Sequence, residues 1–104
     1  MKEHKYYIEN GSLQNATHIE VSVSYSKGGM SYFSGKVSPR GFYLSVTPVT
    51  KKDGIISFTM FTGVRQFLQE TNRYSDKQHA RAVEMSKGVE AELIAAVAEK
   101  YKVA

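Results

Sequence analysis

The chain has 104 residues, 14 basic against 10 acidic side chains, 41% hydrophobic and 23% charged residues, and no cysteine. One domain with a core of its own is the expectation at this length, composition argues against disorder, and the missing cysteine excludes disulfides and thiolate metal sites. The opening Met1-Lys2-Glu3-His4-Lys5-Tyr6-Tyr7 lacks an apolar leader core, and the longest strictly apolar run, Leu93 to Ala98, is too short to span a bilayer. A cytoplasmic protein that does not enter membranes is therefore expected.

Strand patterns fill the first two-thirds. Tyr6-Tyr7-Ile8 reads as a short strand ending at the turn dipeptide Asn10-Gly11. From His18 to Ser26 the alternation is clean, with Ile19, Val21, Val23 and Tyr25 on one face and His18, Glu20, Ser22 and Ser24 on the other. Lys27-Gly28-Gly29 is a hairpin turn, and a third strand is expected over about Met30 to Val37, with Phe33, Gly35 and Val37 inward. Ser38-Pro39-Arg40-Gly41 makes a type I turn into a fourth strand that buries Phe42, Leu44 and Val46 and turns Tyr43, Ser45 and Thr47 outward. Pro48 marks an edge, a bulge or the end of that strand. After the turn Lys51-Lys52-Asp53-Gly54, a fifth strand places Ile56, Phe58 and Met60 inside and Ser57, Thr59 and Phe61 outside.

Helical spacing follows Gly63. Val64, Phe67 and Leu68 form one face of a short helix, and Ser75 with Gln78 reads as a capping box. The long C-terminal helix that it opens carries Ala82, Met85, Val89, Leu93, Val97 and Tyr101 at steps of three or four. Gly88 in its middle costs about 1 kcal/mol relative to alanine and predicts a kink or a close contact. The predicted class is one α+β domain over residues 1–104, an antiparallel meander of four to five strands followed by a short and a long helix. Because residues 93–98 are apolar around most of the helix, homodimer formation through the C-terminal helix is also expected.

No catalytic, metal or cofactor pattern emerges. Asp76 and His79 share a helical face, but carboxylate-bridged metal sites need a matching second pair and further carboxylates. No serine sits in a nucleophile elbow, and the Lys27-Gly28-Gly29 turn lacks the ending of a phosphate-binding loop. The chain is read as a non-enzyme without cofactor or metal.

Charge is uneven. Residues 21–69 hold Lys27, Lys36, Arg40, Lys51, Lys52 and Arg65 against Asp53 alone, whereas residues 75–104 carry five of each sign. Together with Tyr32, Tyr43 and Phe61 on the expected outward face, these cations describe a hydroxyl-rich platform ringed by basic turns. Single-stranded nucleic acid is held by that combination, bases stacking on aromatic rings while cations follow the phosphates. The ordinary alternative is solubility charge on hairpin tips and good strand formers on a half-exposed face.

Arg40-Gly41-Phe42-Tyr43-Leu44, then Ile56-Ser57-Phe58-Thr59-Met60 and Gly63-Val64-Arg65-Gln66-Phe67-Leu68, resembles in order and spacing a repeat of the Pur-alpha and Whirly type of single-stranded nucleic-acid-binding fold. The likeness covers about residues 18–70; the first strand and the long helix lie outside its pattern. It implies a curved sheet followed by a helix, often dimeric, that binds single-stranded DNA or RNA, with Lys36, Arg40 and Tyr43 as the best-matched positions. The chain is also similar to small uncharacterised proteins of bacterial mobile elements. The functional expectation is a nucleic-acid-binding module that prefers single strands; the alternative is a protein-interaction or inhibitor module of a bacterial or phage mobile element.

Overall fold

The computed structural model describes residues 3–30, 33–58 and 63–102. Among them the chain forms β1 (His4–Glu9), β2 (His18–Ser26), β3 (Gly29–Met30), β4 (Val37–Ser38), β5 (Gly41–Lys52), β6 (Ile55–Phe58), β7 (Val64–Glu70), α1 (Asp76–Lys87) and α2 (Glu90–Lys100). The fold is α+β: an antiparallel sheet of five strands, a second sheet made by β3 and β4, and two C-terminal helices.

The core begins with the alternation in β2 and β5. Val21 faces Val46, Val23 faces Leu44 and Tyr25 faces Phe42 across the ladder, and both helices pack on this side. Ile19, Val21, Val23, Phe42, Leu44 and Val46 are fully buried, joined by Ala82 of α1 and Val97 of α2. Both strands thus present the faces their sequence predicts.

β5 is the axis of the sheet. Its 12 residues span about 40 Å at the usual rise per residue, matching the longest dimension of the molecule, 41 Å. β2 pairs along one side; β6 and β7 share the other, one after the other. Pro48 accounts for the division of that second lane. The Val49 carbonyl accepts from the Thr17 amide on the β2 side, so the alternation of the backbone turns the nitrogen of Pro48 toward the opposite lane, where it has no proton to donate. There the ladder passes from Val49↔Phe58 to Val46↔Val64.

Several expectations are corrected. Residues 64–70 form a strand rather than a short helix. A register shift opposite Phe42 and Tyr43 brings Leu68 and Gln69 both toward the helix side, so a bulged strand imitates helical spacing. The turn Asp53-Gly54, with φ of 53° and 79° at its two residues, pairs Lys51 with Ile56 and Val49 with Phe58. That register puts Ile56 on the face of Tyr43, and Ser57 on the other, the reverse of the predicted phase; the Phe58 side chain lies outside what is described. Met60 and Thr59 lie outside the described residues.

Among the described residues, the expected third strand does not join the main sheet. Ser26 pairs directly with Gly41, so residues 27–30 and 33–40 lie off the main sheet as an arm that folds back through β3 and β4. Phe33, Gly35 and Val37, expected inward, are exposed there. The long helix is also divided: Gly88 caps α1, its amide donating to the Met85 carbonyl, and α2 restarts at Glu90. Of the apolar run in α2, Val97 is buried, Leu93, Ile94 and Ala98 are half-buried against the core, and Ala95 and Ala96 are exposed. No helix among the described residues is long and apolar enough to cross a membrane.

The last turn of α2 fastens distant segments. The Tyr101 carbonyl accepts from the Gln14 amide (2.7 Å), its hydroxyl accepts from the Gly63 amide (3.3 Å), and Lys102 bridges to buried Leu13.

Candidate functional site

With both helices on one side, no helix among the described residues covers the opposite face of the sheet. By register and alternation it presents Lys5 and Tyr7 on β1; Glu20, Ser22 and Ser24 on β2; Tyr43, Ser45, Thr47 and Lys51 on β5; and Arg65 and Phe67 on β7. The hydroxyl-rich character predicted for this face is present.

Two cation–aromatic pairs mark it. The Arg65 guanidinium lies 3.9 Å from the centroid of the Tyr43 ring, and the Lys51 ammonium 4.8 Å from that of Tyr7. Tyr43 and Lys51 are eight residues apart on β5, about 27 Å along the strand. Tyr43 is only 6% exposed, because Arg65 covers one side, Phe67 packs at 5.2 Å, and its hydroxyl donates to the Pro39 carbonyl at 2.6 Å. It therefore cannot receive a stacked base; it orients Arg65 instead, holding the guanidinium flat over the ring.

Arg40 is likewise engaged. Its Nε donates to the Lys27 carbonyl (3.2 Å) and its terminal nitrogen to that of Asn72 (3.0 Å), bracing the base of the arm against the end of β7. Lys27 and Arg40 thus stand at one end of the sheet, with Lys51 and Lys52 at the other. Lys36 is exposed on the arm. Tyr32 and Phe61, both expected on the platform, lie outside the described residues.

The face is not uniformly basic. Buried Glu20 lies directly across the ladder from Tyr7 and diagonal to Lys5. Burial, followed by the neighbouring Glu20 carboxylate, pushes the Tyr7 phenol above its usual range. For Lys5, burial acts to lower the pKa, but a hydrogen bond to Glu3 and the charges of Glu20 and Glu3 outweigh it, and the net shift is upward. Lys27, Lys36 and Arg65 have no acidic residue within four positions in the sequence, whereas Lys51 and Lys52 precede Asp53 and β7 ends in Glu70.

A cleft of about 250 Å³ opens where the arm leaves the sheet, lined by Ser26, Gly28, Gly29, Met30, Ser38 and Arg65. The Ser26 hydroxyl accepts from the Gly28 amide, which leaves its own proton to donate. Sequence reasoning missed this cleft because it placed residues 30–37 in the sheet. Among the described residues, no group of three or more His, Asp or Glu side chains is arranged to hold a metal ion. No protein-family model matches the chain, and neither the curated proteins nor the solved structures contain a match to it.

Proposed function

We propose that the protein is a non-enzymatic nucleic-acid-binding module that takes single-stranded DNA or RNA along the β5–β7 half of its open face. The observation that carries this reading is the Arg65 guanidinium stacked on Tyr43 beside a hydroxyl-lined cleft, on a face that the helices leave uncovered. A guanidinium already held flat loses little freedom on meeting a phosphate. Lys51 and Lys52 at the far end of β5 supply the second electrostatic anchor. Serine and threonine hydroxyls between the two ends offer hydrogen bonds to phosphate, sugar or base without demanding a sequence.

The test is fluorescence anisotropy of a labelled mixed-sequence single-stranded 20-mer, titrated across a salt series. Binding is expected to weaken with salt by about 0.7 logarithmic units per neutralised phosphate per decade. The variant Lys51→Gln with Lys52→Gln, both exposed at the end of β5, is expected to reduce that slope by roughly 1 to 1.5. No binding at low salt, or binding insensitive to salt, overturns the proposal.

A further inference from the structure

The arm is a separate structural unit. β3 and β4 pair only with each other, Gly29 with Ser38 and Met30 with Val37. Two strands of two residues form a hairpin that is marginal in water, so the arm gains order from whatever it touches. At its base it is held to the body by the hydrogen bonds of Arg40.

Its surface is unusual in what it exposes. Phe33 is fully exposed, Val37 is 75% exposed and Met30 62%. These are three of the most exposed large apolar side chains described, and they lie within eight positions of one another. Over residues 27–40 the charged side chains are Lys27, Lys36 and Arg40, with no acid.

We propose that this arm grips single-stranded nucleic acid, a base stacking on Phe33 while Lys27 and Lys36 meet the flanking phosphates; the proposal rests on the nucleic-acid reading above. Charge complementarity favours this occupant over a second copy of the chain, whose arm would bring the same three cations. Area argues the same way. Three side chains offer on the order of 400 Å², about half of the roughly 800 Å² per partner in a stable protein interface. One base on one aromatic ring, by contrast, needs no more than a single exposed ring. The arrangement also supplies what the sheet lacks: with Tyr43 closed off by Arg65, stacking has to come from a ring that stands free, and Phe33 is the most exposed aromatic described.

Phe33 has no packing role to lose, so Phe33→Ala is a clean perturbation. Anisotropy titration of the same single-stranded 20-mer compares the wild type with Phe33→Ala, Phe33→Leu and Lys27→Gln with Lys36→Gln. Phe33→Ala is expected to weaken binding about five- to a hundredfold, the range of one lost stack, without changing the salt slope. Phe33→Leu is expected to fall with it, since leucine keeps the apolar bulk but not the ring. The lysine pair is expected to lower the salt slope by about 1.4. Wild-type affinity in Phe33→Ala, with the Lys51→Gln, Lys52→Gln variant still impaired, overturns the arm's role and leaves the sheet reading intact. No binding by the wild type overturns both. Retained affinity in Phe33→Leu overturns stacking, and a wild-type dimer that Phe33→Ala converts to monomer assigns the patch to self-association instead.

Discussion

Replacing Gly41 by alanine tests the central joint of the sheet. A Cβ built at this position lies 2.0 Å from the Gln69 carbonyl oxygen and 3.0 Å from Cα of Glu70, both backbone atoms of the neighbouring strand. Relief to an ordinary contact of 3.4 Å requires β5 and β7 to separate locally by about 1.4 Å. That movement strains the bulge opposite Phe42 and Tyr43 and the Thr71 amide bond to the Arg40 carbonyl (3.1 Å). Overpacking of this kind costs roughly 1–3 kcal/mol. For a chain of this size, about 2 kcal/mol corresponds to a fall in Tm on the order of 10 °C. Differential scanning calorimetry measures it directly, with Gly11→Ala as control, since an added Cβ there meets nothing within 4 Å. A Tm for Gly41→Ala within about 2 °C of the control would refute the close approach of β7 to β5.

Two further outcomes follow from side chains already described. Ser75→Ala removes the hydroxyl that accepts from the Gln78 amide at 3.1 Å; urea unfolding should show a loss of about 1 kcal/mol, and Ser75→Asp should retain most of the stability. Burial, with Glu90 second, raises the Tyr6 phenol, Glu20 adds to burial at Tyr7, and Lys5 is raised as well. The unfolded chain therefore releases these protons first as pH rises: the stabilisation is complete below the unfolded pKa values near 10 and is lost as pH climbs through the folded ones. Melting temperature should drop as pH rises above about 10, and Tyr6→Phe with Tyr7→Phe should flatten that drop; an unchanged profile in the double variant would rule the phenols out as its source.

How far the fold could be read in advance depended on whether local pattern and pairing agreed. In β2 and β5 they agree, because alternation alone decides which face is buried, and Ile19 through Tyr25 and Phe42 through Val46 lie as predicted. In β6 they conflict. Hydrophobicity alone favours Ile56 inside, whereas the two-residue turn at Asp53-Gly54 imposes the register, and the register prevails. In β7 one bulge turns a strand into an apparent helical repeat. The arm was hidden for a different reason: nothing local distinguishes a strand that joins the sheet from one that returns before reaching it, and only the direct pairing of Ser26 with Gly41 decides. For the site, composition identified the basic segment and the open face. It could not show that Tyr43 and Arg40 are already occupied by their own chain, because Arg65 and Asn72 reach them from 22 and 32 residues away.

The fastening of Tyr101 and Lys102 to Gln14 and Leu13 has a consequence for the order of events at the ribosome. The contact joins nearly the two ends of the described chain, so the loop before β2 keeps an open side until residue 102 has left the exit tunnel. The strands are made before the helices that cover them, and Ile19, Val21 and Val23 therefore wait in water until α1 and α2 have been made. Distant contacts of this kind close slowly, and a nascent sheet without its helices offers apolar surface to anything nearby. Closure of this fold is thus a late event, waiting on the segment that carries Tyr101 and Lys102.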